Sequence, residues 1–198
     1  MKLDVRATRA EGIATRKRIL ETSVGFFVDS GLGGVSLKVI AEAAGVFPSQ
    51  ITYYFDSKEA LFVEAACREA LLIASEVEKA GTGATNPEQY ASAILGAAFD
   101  SQSLLLFAEA MSVARFNPEL QKALADTLRR LHSEGARAVT ETLDRNGWVL
   151  RTSPAAYAEA YWATVLGVAL QRAALPAGSS TDVAESVISL FFSVHPAQ

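Results

Sequence analysis

Sulfur and imidazole are scarce in this 198-residue chain, which holds one cysteine, Cys67, two histidines, His132 and His195, and two methionines. A lone cysteine excludes an internal disulfide. With so few soft donors there is no closely spaced ligand set, so neither a structural zinc nor any other metal or cofactor is expected. Long hydrophobic runs are also missing. The longest late uncharged stretch, Ala160 to Gln171, has twelve residues, too few at about 1.5 Å each to cross a hydrocarbon core of about 30 Å. At the N-terminus Met1-Lys2-Leu3-Asp4-Val5-Arg6 scatters charge where a secretory leader needs an apolar core. The expectation is a cytoplasmic protein without membrane association.

No sign of charge dominates, with 18 Lys and Arg against 22 Asp and Glu, but the balance is uneven along the chain. Residues 1–58 carry eight basic and six acidic side chains, and the remainder carries ten and sixteen. A small basic head on an acidic body suits nucleic-acid contact, although a solvated charged surface has the same composition. Half of the residues are hydrophobic, which excludes disorder and supplies a sizeable core.

Helical periodicity fills the chain, strict strand alternation is absent, and the fold expected is all-α. Ile19, Leu20, Val24 and Phe27 form one stripe, predicting a helix over about 13–30 with Gly31 as its left-handed stop. Ser36 is a hydroxyl cap for a two-turn helix ending at Gly45, and Pro48 suits the first position of a third helix that ends near Tyr54. Asp56-Ser57-Lys58-Glu59 has capping-box spacing ahead of a fourth helix reaching about Lys79. Beyond the Ala80–Asn86 linker, turn signals predict helices over about 87–100, 103–115, 118–146, 154–174 and 181–194, for about nine in all.

Residues 36–55 have the spacing of a helix-turn-helix. In its second helix Ile51 and Phe55 face inward, while Ser49, Gln50 and Tyr53 point outward, flanked by Thr52 and Tyr54. Gln bonds an adenine edge at two points, Thr offers a hydroxyl and a methyl, and tyrosine hydroxyls reach phosphates. Lys38 and Lys58 flank this row with positive charge. Taken alone, a Tyr-Tyr-Phe run is more often core packing.

The run from Thr15 to Ala66, with Ile40-Ala41, Ala44-Gly45-Val46, Tyr53-Tyr54-Phe55 and Ser57-Lys58-Glu59-Ala60-Leu61, resembles the DNA-binding region of the tetracycline-repressor (TetR) family. The resemblance implies a homodimeric transcription regulator, usually a repressor, whose helical body binds a small effector and controls the heads. It implies a three-helix DNA-binding domain over 1–58 and an effector-binding and dimerisation domain over 59–198. It maps DNA contacts onto Lys38, Gln50, Thr52, Tyr53, Tyr54 and Lys58, with Ser36 near a phosphate. Three positions depart from the pattern: Phe47 replaces a small capping residue, Ser49-Gln50 replaces a frequent Gly-Thr pair, and Thr52 replaces a frequent tyrosine.

In the body, Tyr157, Tyr161, Trp162, Leu166 and Leu170 make the 154–174 helix too apolar to face solvent all round, and Ala160, Ala163, Thr164 and Gly167 let another helix approach. With Val183, Val187, Leu190 and Phe191 it resembles the helix pair that forms a four-helix dimer bundle in the family. Tyr90, Phe99, Phe107, Met111, Phe116 and Trp162, with the polar Gln102 and Arg115, are the expected lining of a cavity for an apolar or amphipathic effector. The rival classes are a helical-bundle enzyme and a protein-interaction module. No nucleophile stands at a defined spacing from His132 or His195, and Cys67 fits a small buried hydrophobe, so no catalytic residue and no enzymatic activity are expected. An interaction module would lack salt-sensitive DNA binding.

Overall fold

The computed structural model describes residues 2–175, the last stretch of backbone 194–196, and side chains from residue 10 to 175. Eight helices follow one another among the described residues: α1 (Lys2–Gly34), α2 (Leu37–Ala44), α3 (Pro48–Phe55), α4 (Lys58–Gly81), α5 (Pro87–Phe99), α6 (Leu104–Ala114), α7 (Pro118–Asn146) and α8 (Pro154–Ala174). Residues 181–193 of the expected ninth helix lie outside the described residues, and its expected last residue, Val194, is in a strand instead. An antiparallel pair of three-residue strands, β1 (Trp148–Leu150) and β2 (Val194–Pro196), brings Val149 opposite His195. Three residues are too few to show alternation, which is why periodicity missed both strands. The fold is all-α. No described helix is long and apolar enough to cross a membrane.

Local chemistry sets most boundaries. Ser36, Ser57, Asn86, Asn117 and Ser153 each cap a helix through a side-chain oxygen, and Pro48, Pro87, Pro118 and Pro154 occupy first-turn positions. Two boundaries differ from expectation. The first helix starts at Lys2, because its polar opening segment has good helix formers but no apolar stripe. Gly31, with φ 62° and ψ −180°, breaks it near the expected stop, and a further half-turn follows to Gly34. The cap of α4 is Ser57 rather than Asp56: Asp56 closes α3 by donating its N–H to Thr52, and Ser57 Oγ accepts from Ala60 N–H at 3.0 Å.

One hydrophobic core runs from head to body. Phe27 of α1 meets Phe62 of α4 edge-on at 5.0 Å, and Ile19, Ile40, Ile51 and Leu61, all fully buried, join α1 to α4 around them. In the body α4 is central, packed against α5, α6 and α7, and α8 lies against α6 and α7.

Candidate nucleic-acid interface and effector cavity

The turn between α2 and α3 is built on Gly45, whose φ of 64° and ψ of 41° place it in the left-handed region. Its N–H donates to Ala41 and Glu42 carbonyls, and Val46 N–H donates to Ala41 at 2.9 Å, closing the end of α2. Arg18 Nε–H donates to the Ala44 carbonyl at 2.9 Å, which ties this turn to α1. Buried Ile51 and Phe55 then fix the rotation of α3, leaving Ser49, Thr52 and Tyr53 exposed. Tyr53 is 80% exposed.

Among the residues mapped to DNA, Lys38 is exposed on α2, and Ser36 Oγ is engaged in capping by accepting from Val39 N–H at 3.3 Å. Tyr54 is half-buried, edge-on to Tyr53, with its hydroxyl so close to α1 that a Cβ at Gly12 would lie 3.4 Å away. Lys58 Nζ donates to the Val35 carbonyl at 3.1 Å, which leaves two ammonium hydrogens for an anion. Gln50 is half-buried, and its Oε1 accepts from Phe47 N–H at 3.0 Å. Phe47 itself is 75% exposed beside these residues. Sequence reasoning treated Phe47 only as a departure from a pattern; its lack of a capping oxygen was the signal that the side chain is free to point outward.

The body holds a cavity of about 230 Å³ between α4, α5, α7 and α8. Its wall is aromatic, from Tyr90, Tyr157, Tyr161 and Trp162, with aliphatic Leu71, Ile94, Leu131 and Val139. Its polar groups are Ser75, Glu78, Arg130 and Glu134. Tyr161 donates its hydroxyl to the Ile94 carbonyl at 2.6 Å, joining α8 to α5. Gly135 allows α7 and α8 to approach, since a Cβ there would meet Ala158 at 3.2 Å. Arg130 pairs with Glu134 at 2.6 Å, and Arg137 spans Glu78 at 3.0 Å and Glu141 at 2.8 Å.

Of the residues expected to line an effector site, only Tyr90 and Trp162 reach this cavity. Phe107 is fully buried, and Met111 packs half-buried against the same core. Phe99 lies under the Arg172 guanidinium at 4.5 Å, whereas Gln102 and Arg115 are exposed and Phe116, beside Arg115, is 82% exposed. The reason is packing: α6 spends its apolar face against α4 and α8, so the space opens on the α7 side of α4. Small Gly135 and Ala138 on α7 and aromatic Tyr157, Tyr161 and Trp162 on α8, all lining it, were the pattern that marked it.

Burial drives the phenols of the cavity away from ionisation. Tyr90 is pushed up to about 12 by desolvation, with neighbouring Thr142 opposing and the Glu78 charge adding to the rise. Desolvation also raises Tyr157 and Tyr161. Cys67 is raised by the same cause and stays a protonated thiol against α7, without the thiolate character a nucleophile needs.

An exposed third helix in a three-helix head, carried on a helical body with a cavity between its helices, defines a helix-turn-helix transcriptional regulator. Residues 19–65 match the model of bacterial regulatory proteins of the tetR family, and residues 87–191 match that of the bacterial transcriptional repressor C-terminal region. The chain belongs to the TetR family, which is a family of transcriptional regulators and not of enzymes.

The chain is 44% identical over 50 residues to the HTH-type transcriptional regulator RutR of Escherichia coli K12, a match covering 25% of this chain and 24% of RutR. It is 37% identical over 57 residues to an E. coli protein named for repression of the acrEF/envCD operon, covering 29% and 26%. The match thus spans about a quarter of the length of these curated relatives. A crystal structure described as a transcriptional regulator from Rhodococcus sp. RHA1 is similar throughout, with a TM-score of 0.79 and 32% identity over 89% of this chain and 92% of that one. A TetR-family regulator from Mesorhizobium loti shares the fold at a TM-score of 0.68, with 21% identity over 91% and 96% of the two chains.

Proposed function

We propose that this chain is a cytoplasmic repressor that binds a near-palindromic operator as a homodimer and is released by a small amphipathic effector. The observation that carries the reading is the course of α4. It starts at Lys58 beside the recognition helix and supplies Leu71, Ser75 and Glu78 to the cavity, without a break in between. A ligand that fits one tilt of α4 better than another shifts the spacing of the two heads, because it binds one arrangement more tightly. The aromatic wall suits the ring system of such a ligand, and Arg130, Glu134 and Glu78 suit its polar end.

Dimerisation runs through α8, whose exposed Ala160, Ala163 and Leu170, with half-buried Gly167, form a face on which a second helix packs closely. The other half of the expected interface lies outside the described residues over 181–193. Two symmetric half-sites then supply the specificity that one short helix lacks.

Selection of bound duplexes from a random DNA pool by the purified protein tests this reading, followed by anisotropy titrations over a range of salt. The expected outcome is a near-palindrome bound by a dimer, with affinity falling steeply as salt rises. Equal affinity for random DNA, or a monomeric mass for the DNA-bound species, refutes it. Effector and operator must weaken each other by the same factor.

A further inference from the structure

Phe47 leaves a large apolar ring in water at the N-cap of α3, the turn from which a recognition helix meets base edges. Its side chain has no oxygen to accept from the first-turn N–H groups of α3, and the Gln50 side chain reaches back to accept from Phe47 N–H. An N–H requires an acceptor, so this bond fixes the orientation of the Gln50 amide: Oε1 is committed to the backbone and Nε2 is left as a donor. Oε1 keeps one lone pair but is tied to the turn, so the groups the amide presents freely are the two Nε2 hydrogens. What remains is a pair of amide hydrogens next to an exposed aromatic ring.

Thymine presents the complementary edge, an O4 acceptor beside a 5-methyl group. Guanine, and adenine through N7, accept from the amide but offer the ring no methyl group, and cytosine turns a donor toward a donor. We propose that Phe47 and Gln50 form one thymine-reading unit, with the Phe47 ring over the 5-methyl and the Gln50 amide donating to O4. This assignment rests on the operator-binding reading and adds to it the base that each half-site must contain.

The test uses the operator recovered by selection, with each half-site thymine replaced in turn by deoxyuridine, which lacks only the methyl. One position should lose about four-fold in affinity per half-site, the equivalent of one methyl group removed from water. Phe47→Ser, which supplies its own capping hydroxyl, should bind the uracil and thymine operators equally. Gln50→Glu keeps an acceptor for Phe47 N–H but has no amide hydrogens, so at the same position it should prefer 5-methylcytosine to thymine, reversing the order of the unaltered protein. An operator with no methyl-sensitive position, or a uracil penalty that persists in Phe47→Ser, overturns the assignment and leaves operator binding intact. A preference for thymine retained by Gln50→Glu overturns the amide's part. Failure to select any sequence overturns operator binding itself, and the thymine unit with it.

Discussion

Gly81→Ala reports directly on the cavity wall. A Cβ at this position falls 2.6 Å from Tyr90 Cε2, 3.1 Å from Cδ2 and 3.2 Å from Ile94 Cγ2. Ordinary contact begins near 3.4 Å, so the Tyr90 ring must recede by about 0.8 Å. Its edge rests on Trp148, with ring centres 6.2 Å apart, and the ring lines the cavity, so the open space into which it recedes lies on that side. Forcing a group into a packed site costs about 1–3 kcal/mol, and replacing a helical glycine by alanine returns up to about 1 kcal/mol. The net loss expected is about 1 kcal/mol, a fall in Tm of about 2–4 °C for a chain of this size. Thermal denaturation should show that fall, and tryptophan emission and near-ultraviolet dichroism should both change. Effector affinity should drop while operator affinity without effector stays constant, since no residue of the head is moved. A variant as stable as the parent with an unaltered tryptophan spectrum refutes the argument that Tyr90 is wedged between Gly81 and the cavity.

Gly45→Ala forces a side chain into the left-handed region, and should lower stability to urea by about 1 kcal/mol while weakening operator binding by re-aiming α3. Lys58→Ala should weaken binding to operator and scrambled duplex alike and make the salt slope shallower by about one unit; a selective loss on operator alone counts against a phosphate contact. In alkaline titration followed by phenolate absorbance, Tyr90, Tyr157 and Tyr161 should stay neutral in the folded protein as pH passes 10. Because their folded values lie above the ordinary 10, the stability they contribute is complete below pH 10 and is lost as pH climbs toward about 12, and a stability profile flat across that range refutes it.

Features of the fold written in local chemistry were legible in the sequence. Helices α7 and α8 fall on their expected bounds because Asn117-Pro118, Gly147 and Ser153-Pro154 act on their own backbone, whatever packs around them. The outward Ser49 and Tyr53 were legible for the same reason, since Ile51 and Phe55 set the way α3 faces, whereas Gln50, expected outward with them, is half-buried and Thr52, expected on the flank, is exposed. The cavity was not. Its wall joins Leu71 to Tyr161 across four helices, and only their three-dimensional order decides whether an aromatic residue such as Phe107 fills core or Tyr90 borders space. The bond between Gln50 and Phe47 is not legible in the sequence, because a glutamine in the first turn of a helix serves as a base reader and as an acceptor for the N-cap N–H alike.

The seam between α1 and α4 governs how this regulator can be rebuilt. Arg16 grips Glu64 through two bonds of 2.6 Å, Arg68 reaches Glu21 at 3.0 Å, and Phe27 interlocks with Phe62. A chimera joined at residue 58 would give the transplanted head a foreign α4 and sever all three, so such hybrids should express as loosely coupled, aggregation-prone proteins. Moving the joint to the Thr82–Asn86 turn carries α4 along with its head. The mismatch then falls on the α4 surfaces that face α5, α6 and α7, which makes the α4 sequence the part to redesign when one head is to answer to another body.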